Sequence, residues 1–277
     1  MSIINCPNCK SALRLSTQQL KCEKGHCFDF AKEGYVNLLL PNKKKKSDPG
    51  DSKLMINARE AFLSTGHYDF LITAMESAIN SLPPFSGRTT ESPYLLDLGC
   101  GSGYYTRRIF EDASLHKIGV DISKAGVSKA AKKDKDSTYI VGSVFDLPIK
   151  DNAVDLIINI FAPSSISEVK RVLQVGGHFL KIVPGKDHMK EIASLVYETF
   201  IPHQSTIATE LSADAALEDI KVEKVEKKIT LREEHLHNLI SMTPYFYKFK
   251  KRELEELKEL SVTISFEVIV VRNVGEC

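Results

Sequence analysis

The stretch 95–106, LLDLGCGSGYYT, joins an apolar run to three glycines spaced two apart, Gly99, Gly101 and Gly103. An apolar run followed by glycines and then by YTRRIFEDA predicts a strand, a turn and a helix. Glycine lacks a Cβ atom, so the backbone of this turn can approach a ligand closely. The dinucleotide fingerprint would need a glycine at Tyr104, and the pattern therefore argues against a pyrophosphate site.

A second motif adds a carboxylate to this turn. The segment HKIGVDIS predicts a second strand that ends at Asp121, eighteen residues after Gly103. An acidic side chain at this place in a βαβ unit accepts hydrogen bonds from ribose hydroxyls. The two motifs together predict a nucleoside site at the carboxyl ends of neighbouring strands.

Later segments continue the alternation of strands and helices. STYIVGS predicts a third strand, residues 154–160 a fourth, and VLQVGGHFLKIVP a tight Gly176-Gly177 turn with a fifth strand. This alternation is typical of an α/β fold whose open, mainly parallel sheet binds ligand at the carboxyl ends of its strands. Before the glycine turn, residues 54–82 carry apolar side chains at helical spacing and predict two helices broken near STGHYD.

The length of 277 residues allows one large domain with a small appendage. The net charge is +1, from 37 basic and 36 acidic residues, which excludes nucleic-acid binding driven by the charge of the whole protein. No run of eighteen apolar residues occurs and the N-terminus begins with cysteines, so we expect a cytoplasmic protein without a membrane span. The cluster Lys43 to Lys46 is either a solvated loop or a phosphate contact.

Four of the six cysteines lie close together near the N-terminus. The spacing Cys6-x2-Cys9-x12-Cys22-x3-His26 is typical of the paired ligands of a tetrahedral zinc ion. SALRLSTQQLK, between the pairs, predicts a short hairpin that brings the two half-sites together. Cys27 is the alternative fourth ligand, and with His26 as ligand we expect Cys27 to be a buried spare. Protein would fill all four positions, so the zinc is predicted to be structural.

The order of the motifs resembles that of a known enzyme class. LLDLGCGSGYYT, GVDIS, FDLPI and LQVGGHFL resemble the successive motifs of class I S-adenosylmethionine-dependent methyltransferases. The resemblance implies a Rossmann-like α/β fold with a seven-stranded sheet whose last hairpin is antiparallel, and IKVEKVEKKITL and VTISFEVIVVRN suit the final strands. It also implies that the ligand of the glycine turn is S-adenosylmethionine.

A closer resemblance covers nearly the entire chain. The cysteine pairs, FDFAKEGYVNLLLP, DPGDSKLMINAREAFLSTGHYD, IFAP, VPGKDHMKE and MTPYFYK are similar to segments of the bacterial 23S ribosomal RNA guanine-N1 methyltransferases. This implies a zinc-binding RNA-recognition module over 1–41, a basic linker and helical bridge over 42–84, and a methyltransferase domain over 85–277. It further implies methylation of a guanosine in an RNA hairpin by a homodimer. Glu60 departs from the family, which often has a second arginine there, and Cys27 stands where many members have glutamine.

The same resemblance implies which residues hold the methyl donor and the metal. The family's donor contacts fall on Tyr68, on the turn residues Gly99, Cys100, Gly101, Ser102 and Gly103, and on Asp121 and His188. Its zinc ligands fall on Cys6, Cys9, Cys22 and His26. Asp97 either contacts the donor's amino group or accepts backbone hydrogen bonds in the turn. Without the family, Tyr68 would be a packing residue and His188 a surface histidine at a helix start.

The resemblance also implies an acceptor site, at the end of the fourth strand. Guanine N1 is a poor nucleophile until its proton leaves, so a carboxylate or another polar group is expected near the donor methyl, and the base must be unpaired or flipped. NIFAPSS is where this fold meets the acceptor, which nominates Asn159, Phe161 and Pro163 as acceptor-pocket residues of the catalytic site. Alternatively, Asn159 caps the strand end and Phe161 belongs to the core. TPYFYKFKKR, residues 243–252, is either a segment that stacks bases and contacts phosphates or an aromatic patch on the sheet.

Two other functions fit the same motifs. A small-molecule methyltransferase would use the donor site with the zinc module as a protein contact, which agrees with the neutral overall charge and leaves the lysine cluster unused. A non-catalytic RNA-binding assembly factor would keep the donor pocket without chemistry. An assay for methylation of RNA distinguishes these two functions from the predicted RNA guanine-N1 methyltransferase.

Overall fold

The computed structural model describes residues 3–40, 50–82, 93–111 and 115–275, with the exception of the Asp219 side chain. The Lys43 to Lys46 cluster lies outside these residues, together with the rest of 42–49, the first part of the predicted linker and helical bridge. Within them, no helix combines the length and the apolar character that crossing a bilayer requires.

An eight-stranded sheet forms the centre of the protein. Its strands, in spatial order, are β10 (Leu217–Arg232), β11 (Glu259–Asn273), β9 (Leu173–Pro184), β8 (Val154–Ile160), β5 (Tyr94–Leu98), β6 (His116–Asp121), β7 (Thr138–Val141) and β4 (Val36–Asn37). Strands from β9 to β4 are parallel to their neighbours, whereas β11 is antiparallel to both β9 and β10. The loops after β5, β6, β8 and β9 therefore lie side by side at one end of the sheet.

A small antiparallel sheet precedes the large one. It contains β1 (Arg14–Ser16), β2 (Gln19–Lys21) and β3 (Cys27–Asp29), and the pairing of β1 with β2 confirms the predicted hairpin. The chain then enters the large sheet, because Val36 of β4 pairs with Ile140 of β7. The seven expected strands are present, and β4 is an eighth that the sequence did not predict, since two residues are too short for a periodic signal.

The helices cover both faces of the large sheet. They are α1 (Lys53–Leu63), α2 (Asp69–Asn80), α3 (Tyr104–Arg108), α4 (Lys124–Lys133), α5 (Ile166–Val172), α6 (Lys190–Val196), α7 (Ile207–Ser212), α8 (Glu233–Ser241) and α9 (Lys251–Glu256), with a 3₁₀ turn at Pro244–Lys248. The break between α1 and α2 is the one predicted near STGHYD. Residues 233–256, called the cap below, are inserted between the last two strands, where α8 packs against α1.

The predicted Gly176-Gly177 turn is wrong. Both glycines lie inside β9, and the pairing of β9 with β8 shifts register between Val154 and Leu156. Gly176 has a φ of +83°, a left-handed conformation that lets the strand bulge and continue where the sequence suggested a reversal.

The core lies on both faces of the large sheet. On one face, Phe62 and Leu71 of the first two helices pack with Leu239 of the cap. On the other face, Ile4 and Leu13 from the N-terminal region share a cluster with β5 and β6 side chains. Full burial of such a side chain contributes about 1.5–3 kcal/mol, so the N-terminal region and the large sheet stabilise each other.

Candidate functional site

Four side chains of the N-terminal region converge on one point. The ligand atoms of Cys6, Cys9, Cys22 and His26 all lie within 4.8 Å of one another. Cys9 Sγ and Cys22 Sγ are 3.7 Å apart, and His26 Nδ1 lies 3.4 Å from Cys22 Sγ and 3.5 Å from Cys6 Sγ. A tetrahedral zinc ion, bound at about 2.3 Å by sulfur and about 2.0 Å by nitrogen, holds its ligands roughly 3.5–3.8 Å apart. The cluster therefore fits zinc with four protein ligands, which is a structural site.

The position of Cys27 differs from the prediction. Its side chain is exposed and faces the Gly25 carbonyl oxygen at 3.4 Å, so Cys27 is not a buried spare. The reason is the alternation of β3, which turns the side chain of its first residue to solvent while His26 points to the cysteines. A hydrogen bond from Ser11 lowers the pKa of Cys9 to about 7, which favours the thiolate that zinc binds.

A cavity of about 710 Å³ opens at the carboxyl ends of the parallel strands, within the size range of ligand pockets, about 300–1,000 Å³. Its β5–β6 half is lined by residues at the carboxyl ends of those strands and in the turn after β5, including Asp97, Gly99, Cys100, Gly101, Ser102 and Asp121. Its β8–β9 half includes Phe161, Pro163, Pro184, His188, Tyr197 and His203. Helix α1 and the cap close it with Met55, Ile56, Arg59, Leu63, Met242, Thr243, Pro244 and Tyr245. Most of the predicted donor contacts therefore share this central cavity.

The glycine turn forms the floor of the β5–β6 half. Gly99 has a φ of +78°, and a Cβ atom on it would lie 2.3 Å from the Cβ of Ala162, so only glycine fits between the loops after β5 and β8. The Gly101 N–H donates to Asp121 Oδ2 at 2.9 Å. Gly103 does not line the cavity. It packs closely against α4, where a Cβ atom on it would lie 2.8 Å from the Cβ of Ala130. The structure thus gives Gly103 a packing position in place of the predicted donor contact.

Two carboxylates, one buried and one partly buried, flank this turn. Asp121 accepts a further hydrogen bond from the Ser123 N–H at 2.7 Å, and burial raises its pKa against the effect of its two backbone donors. Asp97 is 2% exposed and accepts a hydrogen bond from Thr106 Oγ1 at 2.6 Å. Burial raises the pKa of Asp97 to about 7, and the charge of Asp121 adds to the effect. Asp97 is therefore a carboxyl group that a bound cation would ionise.

The raised pKa of Asp97 predicts a pH-dependent stability. Between about pH 3.9, where an unfolded aspartate loses its proton, and about pH 7, the native state holds a proton that the unfolded state has lost. The free energy of unfolding should therefore fall as pH rises through this window. Asp97→Asn should make that fall less steep, as measured by urea unfolding of both proteins at pH 5 and pH 7.5. Parallel pH dependences for the two proteins would contradict the prediction.

Two tyrosine hydroxyls in the cavity wall have no hydrogen-bond partner among the described residues. The hydroxyls of Tyr68 and Tyr105 are buried and have no hydrogen bond to any described residue. An unsatisfied buried hydroxyl costs about 1–3 kcal/mol, which a polar ligand would recover. Next to them, His188 Nδ1 accepts the Ser265 N–H at 3.3 Å, and burial lowers the pKa of His188 to about 3. His188 is thus neutral and keeps a donor hydrogen on Nε2.

The three predicted acceptor residues occupy different positions. Phe161 is 43% exposed and lines the cavity with Pro163, and its φ of +55° is strained for a residue other than glycine. Asn159 does not reach the cavity. It is fully buried, donates to the Leu98 carbonyl oxygen at 2.7 Å and accepts a hydrogen bond from Lys181. The structure corrects Asn159 from an acceptor-pocket residue to a support behind the wall.

A buried lysine completes this support. Lys181 Nζ donates to Asn159 Oδ1, to the Ala162 carbonyl oxygen at 3.0 Å and to Ser164 Oγ at 3.2 Å. Burial lowers the pKa of Lys181 to about 8. Because all three acceptors lie in or beside the loop after β8, Lys181 fixes the loop that carries Phe161.

The family departure at Glu60 is compensated locally. Glu60 is buried, accepts a hydrogen bond from Ser102 Oγ, and forms ion pairs with Lys133 and, at 2.9 Å, with Arg107. Burial alone would raise its pKa, but the hydrogen bonds from Lys133 and Ser102 and the charge of Arg107 hold it below the usual value. Glu60 thereby ties α1 to the glycine turn.

Among the cavity residues that sequence reasoning missed, three have side chains able to bind a ligand or a base. Arg59 of α1, Phe145 after β7 and His203 after α6 all line the central cavity. Phe145 lies in FDLPI, a motif that was used for the fold alone, and its ring is 60% exposed. His203 lies in an irregular segment without any periodic pattern, so only the folded chain brings it to the site.

The zinc cluster is connected to this cavity through residues 143–150. Lys10, between the ligand pairs, forms an ion pair with Asp146 at 2.7 Å. The Asn5 N–H donates to the Pro148 carbonyl oxygen at 2.8 Å, and Ile4 forms an antiparallel bridge with Ile149. The same segment contributes Phe145 to the cavity, so the metal site supports part of the cavity wall.

Comparisons with known proteins agree with this arrangement. A zinc-ribbon family model, RlmA N-terminal, matches residues 4–48, and a methyltransferase-domain model matches residues 96–180. The 23S rRNA (guanine(748)-N(1))-methyltransferase of Streptomyces fradiae is 30% identical over 96% of this chain and 95% of its own length. YxjB of Bacillus subtilis (strain 168), assigned to the 23S rRNA (guanine-N(1)-)-methyltransferases, is 32% identical over 97% of this chain and 96% of its own length. The chain belongs to this family of 23S rRNA (guanine-N1)-methyltransferases.

Membership in this family identifies the methyl donor of the enzyme and the metal of its N-terminal cluster. The protein is an S-adenosylmethionine-dependent methyltransferase, and its N-terminal cluster is a structural zinc site. Among solved structures, a phosphoethanolamine N-methyltransferase 2 of Haemonchus contortus is similar in fold, with a TM-score of 0.53 and 16% identity over 81% of this chain and 59% of that one. The unpartnered hydroxyls of Tyr68 and Tyr105 and the close approach at Gly99 fit the donor in the central cavity.

Proposed function

We propose that the protein transfers the methyl group of S-adenosylmethionine to N1 of a guanosine in a hairpin of 23S ribosomal RNA. One observation carries the proposal. In a chain similar to such enzymes along its whole length, the glycine turn, Asp121 and the exposed ring of Phe161 line a single cavity.

The β5–β6 half is suited to bind the donor. Asp121 is oriented by the backbone N–H groups of Gly101 and Ser123 and can accept hydrogen bonds from a ribose. The free hydroxyls of Tyr68 and Tyr105 can bind further polar groups. When bound, S-adenosylmethionine supplies an electrophilic methyl group on sulfur. Alignment of the two reactants by these side chains can contribute roughly 7–11 kcal/mol to catalysis.

The β8–β9 half is suited to bind an unpaired base. The half-exposed ring of Phe161 offers a stacking face, and Lys181 holds its loop through Asn159. Phe145 offers a second exposed ring on the cavity wall after β7. A base inserted beside Phe161 would lie in the half adjoining the donor.

The test is to incubate the zinc-loaded protein with labelled S-adenosylmethionine and unmodified 23S ribosomal RNA. We expect label in the RNA and a primer-extension arrest at one guanosine, because a methyl group on N1 blocks base pairing. Label that enters only small molecules would support the small-molecule methyltransferase. Donor binding without transfer to either acceptor would support the assembly factor.

Two further properties follow as proposals from the family resemblance. We propose a homodimer, which sedimentation of the purified protein tests. A ribosomal RNA substrate also supports the prediction that the protein acts in the cytoplasm.

The donor's carboxylate gives a specific prediction for Arg59. Among the described residues of the cavity wall, Arg59 alone carries a permanent positive charge, and it pairs with Asp51 and donates to the Met242 carbonyl oxygen at 3.4 Å. Its remaining N–H groups can bind a carboxylate. Hydrogen bonds to charged groups contribute about 1.5–3 kcal/mol, so Arg59→Gln should weaken S-adenosylmethionine binding roughly 10- to 150-fold.

The control for this prediction is a second ligand that lacks the carboxylate. 5′-Methylthioadenosine has no carboxylate, so calorimetry should give equal affinities for it in Arg59→Gln and in the unchanged protein. An equal loss of affinity for both ligands would mean that Arg59 supports only the shape of the cavity.

A further inference from the structure

The β8–β9 half of the cavity contains an imidazole whose ring has an unused nitrogen. His203 lines this half beside His188, with ring centroids 6.1 Å apart. Its Nε2 atom is buried and has no hydrogen-bond partner among the residues that the structure describes. The His203 backbone N–H donates to the Lys186 carbonyl oxygen at 3.1 Å, which anchors the residue within an irregular segment.

The other titratable side chains of this half are less suited to accept a proton. His188 uses Nδ1 to accept the Ser265 N–H, so its Nε2 already carries hydrogen. Tyr197 and Tyr245 are phenols, and burial raises the pKa of Tyr245 further above its usual value. The cavity carboxylates lie at the glycine turn or pair with Arg59. Among the described residues that line this half, His203 combines an imidazole nitrogen without a hydrogen-bond partner and a residue type that commonly accepts protons.

We infer that His203 is the general base that accepts the N1 proton of guanine. This inference rests on the proposed function. The N1–H bond breaks and its proton moves to Nε2 of His203, while the N1 electron pair forms the bond to the methyl carbon. The carbon–sulfur bond breaks at the same time and its electron pair stays on sulfur. The products are N1-methylguanosine, S-adenosylhomocysteine and a protonated His203, which then releases its proton to solvent.

The experiment compares His203→Gln with the unchanged protein at saturating donor and RNA. General-base catalysis contributes about 10²- to 10⁴-fold, so turnover should fall by roughly that factor while the donor Kd measured by calorimetry stays the same. The rate of the variant should rise more steeply with pH than the rate of the unchanged protein, because guanine in the variant must lose its proton to solvent.

His203→Ala with added imidazole provides the second test, since imidazole can occupy the space and restore turnover. His116→Gln is the matched control, because His116 is exposed at the opposite end of β6 and should not affect the rate. Unchanged turnover in His203→Gln, a parallel loss of donor binding, failure of imidazole to restore turnover, or equally steep pH profiles in the two proteins each overturn the inference. A failure of the proposed function is distinct, because the unchanged protein would then not methylate RNA at all.

Discussion

A Cys6→Ser substitution is expected to destabilise the entire chain and to weaken its binding of S-adenosylmethionine. Structural zinc contributes roughly 10–16 kcal/mol in small zinc domains, which is comparable with the roughly 5–15 kcal/mol that separates folded from unfolded proteins. In this protein, Ile4 and Leu13 pack in the same cluster as Leu98 and Val120, which precede the glycine turn and Asp121. Loss of zinc should therefore loosen this shared core and so weaken donor binding.

Thermal unfolding and donor calorimetry, each with and without a chelator, measure both effects. Cys27→Ser is the matched control, because Cys27 is exposed and adjoins the ligand His26 without joining the cluster. It should keep the zinc content, the unfolding midpoint and the donor affinity. A zinc-free Cys6→Ser protein with an unchanged midpoint and donor affinity would show that the N-terminal region is an independent module.

The second large effect is expected at Gly99→Ala. The new Cβ would lie 2.3 Å from the Ala162 Cβ, in a backbone with a φ of +78°. Left-handed backbone costs about 1–2 kcal/mol for other residues, and overpacking typically about 1–3 kcal/mol. The loops after β5 and β8 would have to separate, which displaces the donor turn and the Phe161 loop together. Donor affinity should fall by roughly 30-fold or more, as measured by calorimetry, with a larger loss of turnover.

Gly34→Ala is the control for backbone strain alone. Gly34 has a φ of +103°, and among the described residues the atom nearest to an added Cβ, apart from its chain neighbours, is Lys135 Nζ at 3.8 Å. It should lower stability slightly and leave donor affinity unchanged. Equal effects of the two substitutions on donor affinity would mean that the contact with Ala162 is unimportant.

The sequence predicted what local patterns encode. The glycine turn, Asp121 and the zinc ligands each combine a residue type with a spacing that the chemistry requires, and the structure brings each set together. Asn159 was misplaced because every residue of β8 is buried, so no alternation distinguishes side chains that face the cavity from those behind it. Arg59 and His203 were missed because they lie far apart in the chain and reach the same cavity only when α1 and the segment after α6 pack over the sheet.

The edge strand β4 has a consequence for the order of folding during synthesis. The four zinc ligands lie within the first 26 residues, so the nascent chain can bind metal soon after this part leaves the ribosome. Val36 and Asn37 pair with Ile140 and Val141, which emerge about a hundred residues later. The apolar side chains of the metal-bound segment therefore stay exposed to solvent until the centre of the sheet has been synthesised. Early binding of the metal would stabilise the segment during that interval.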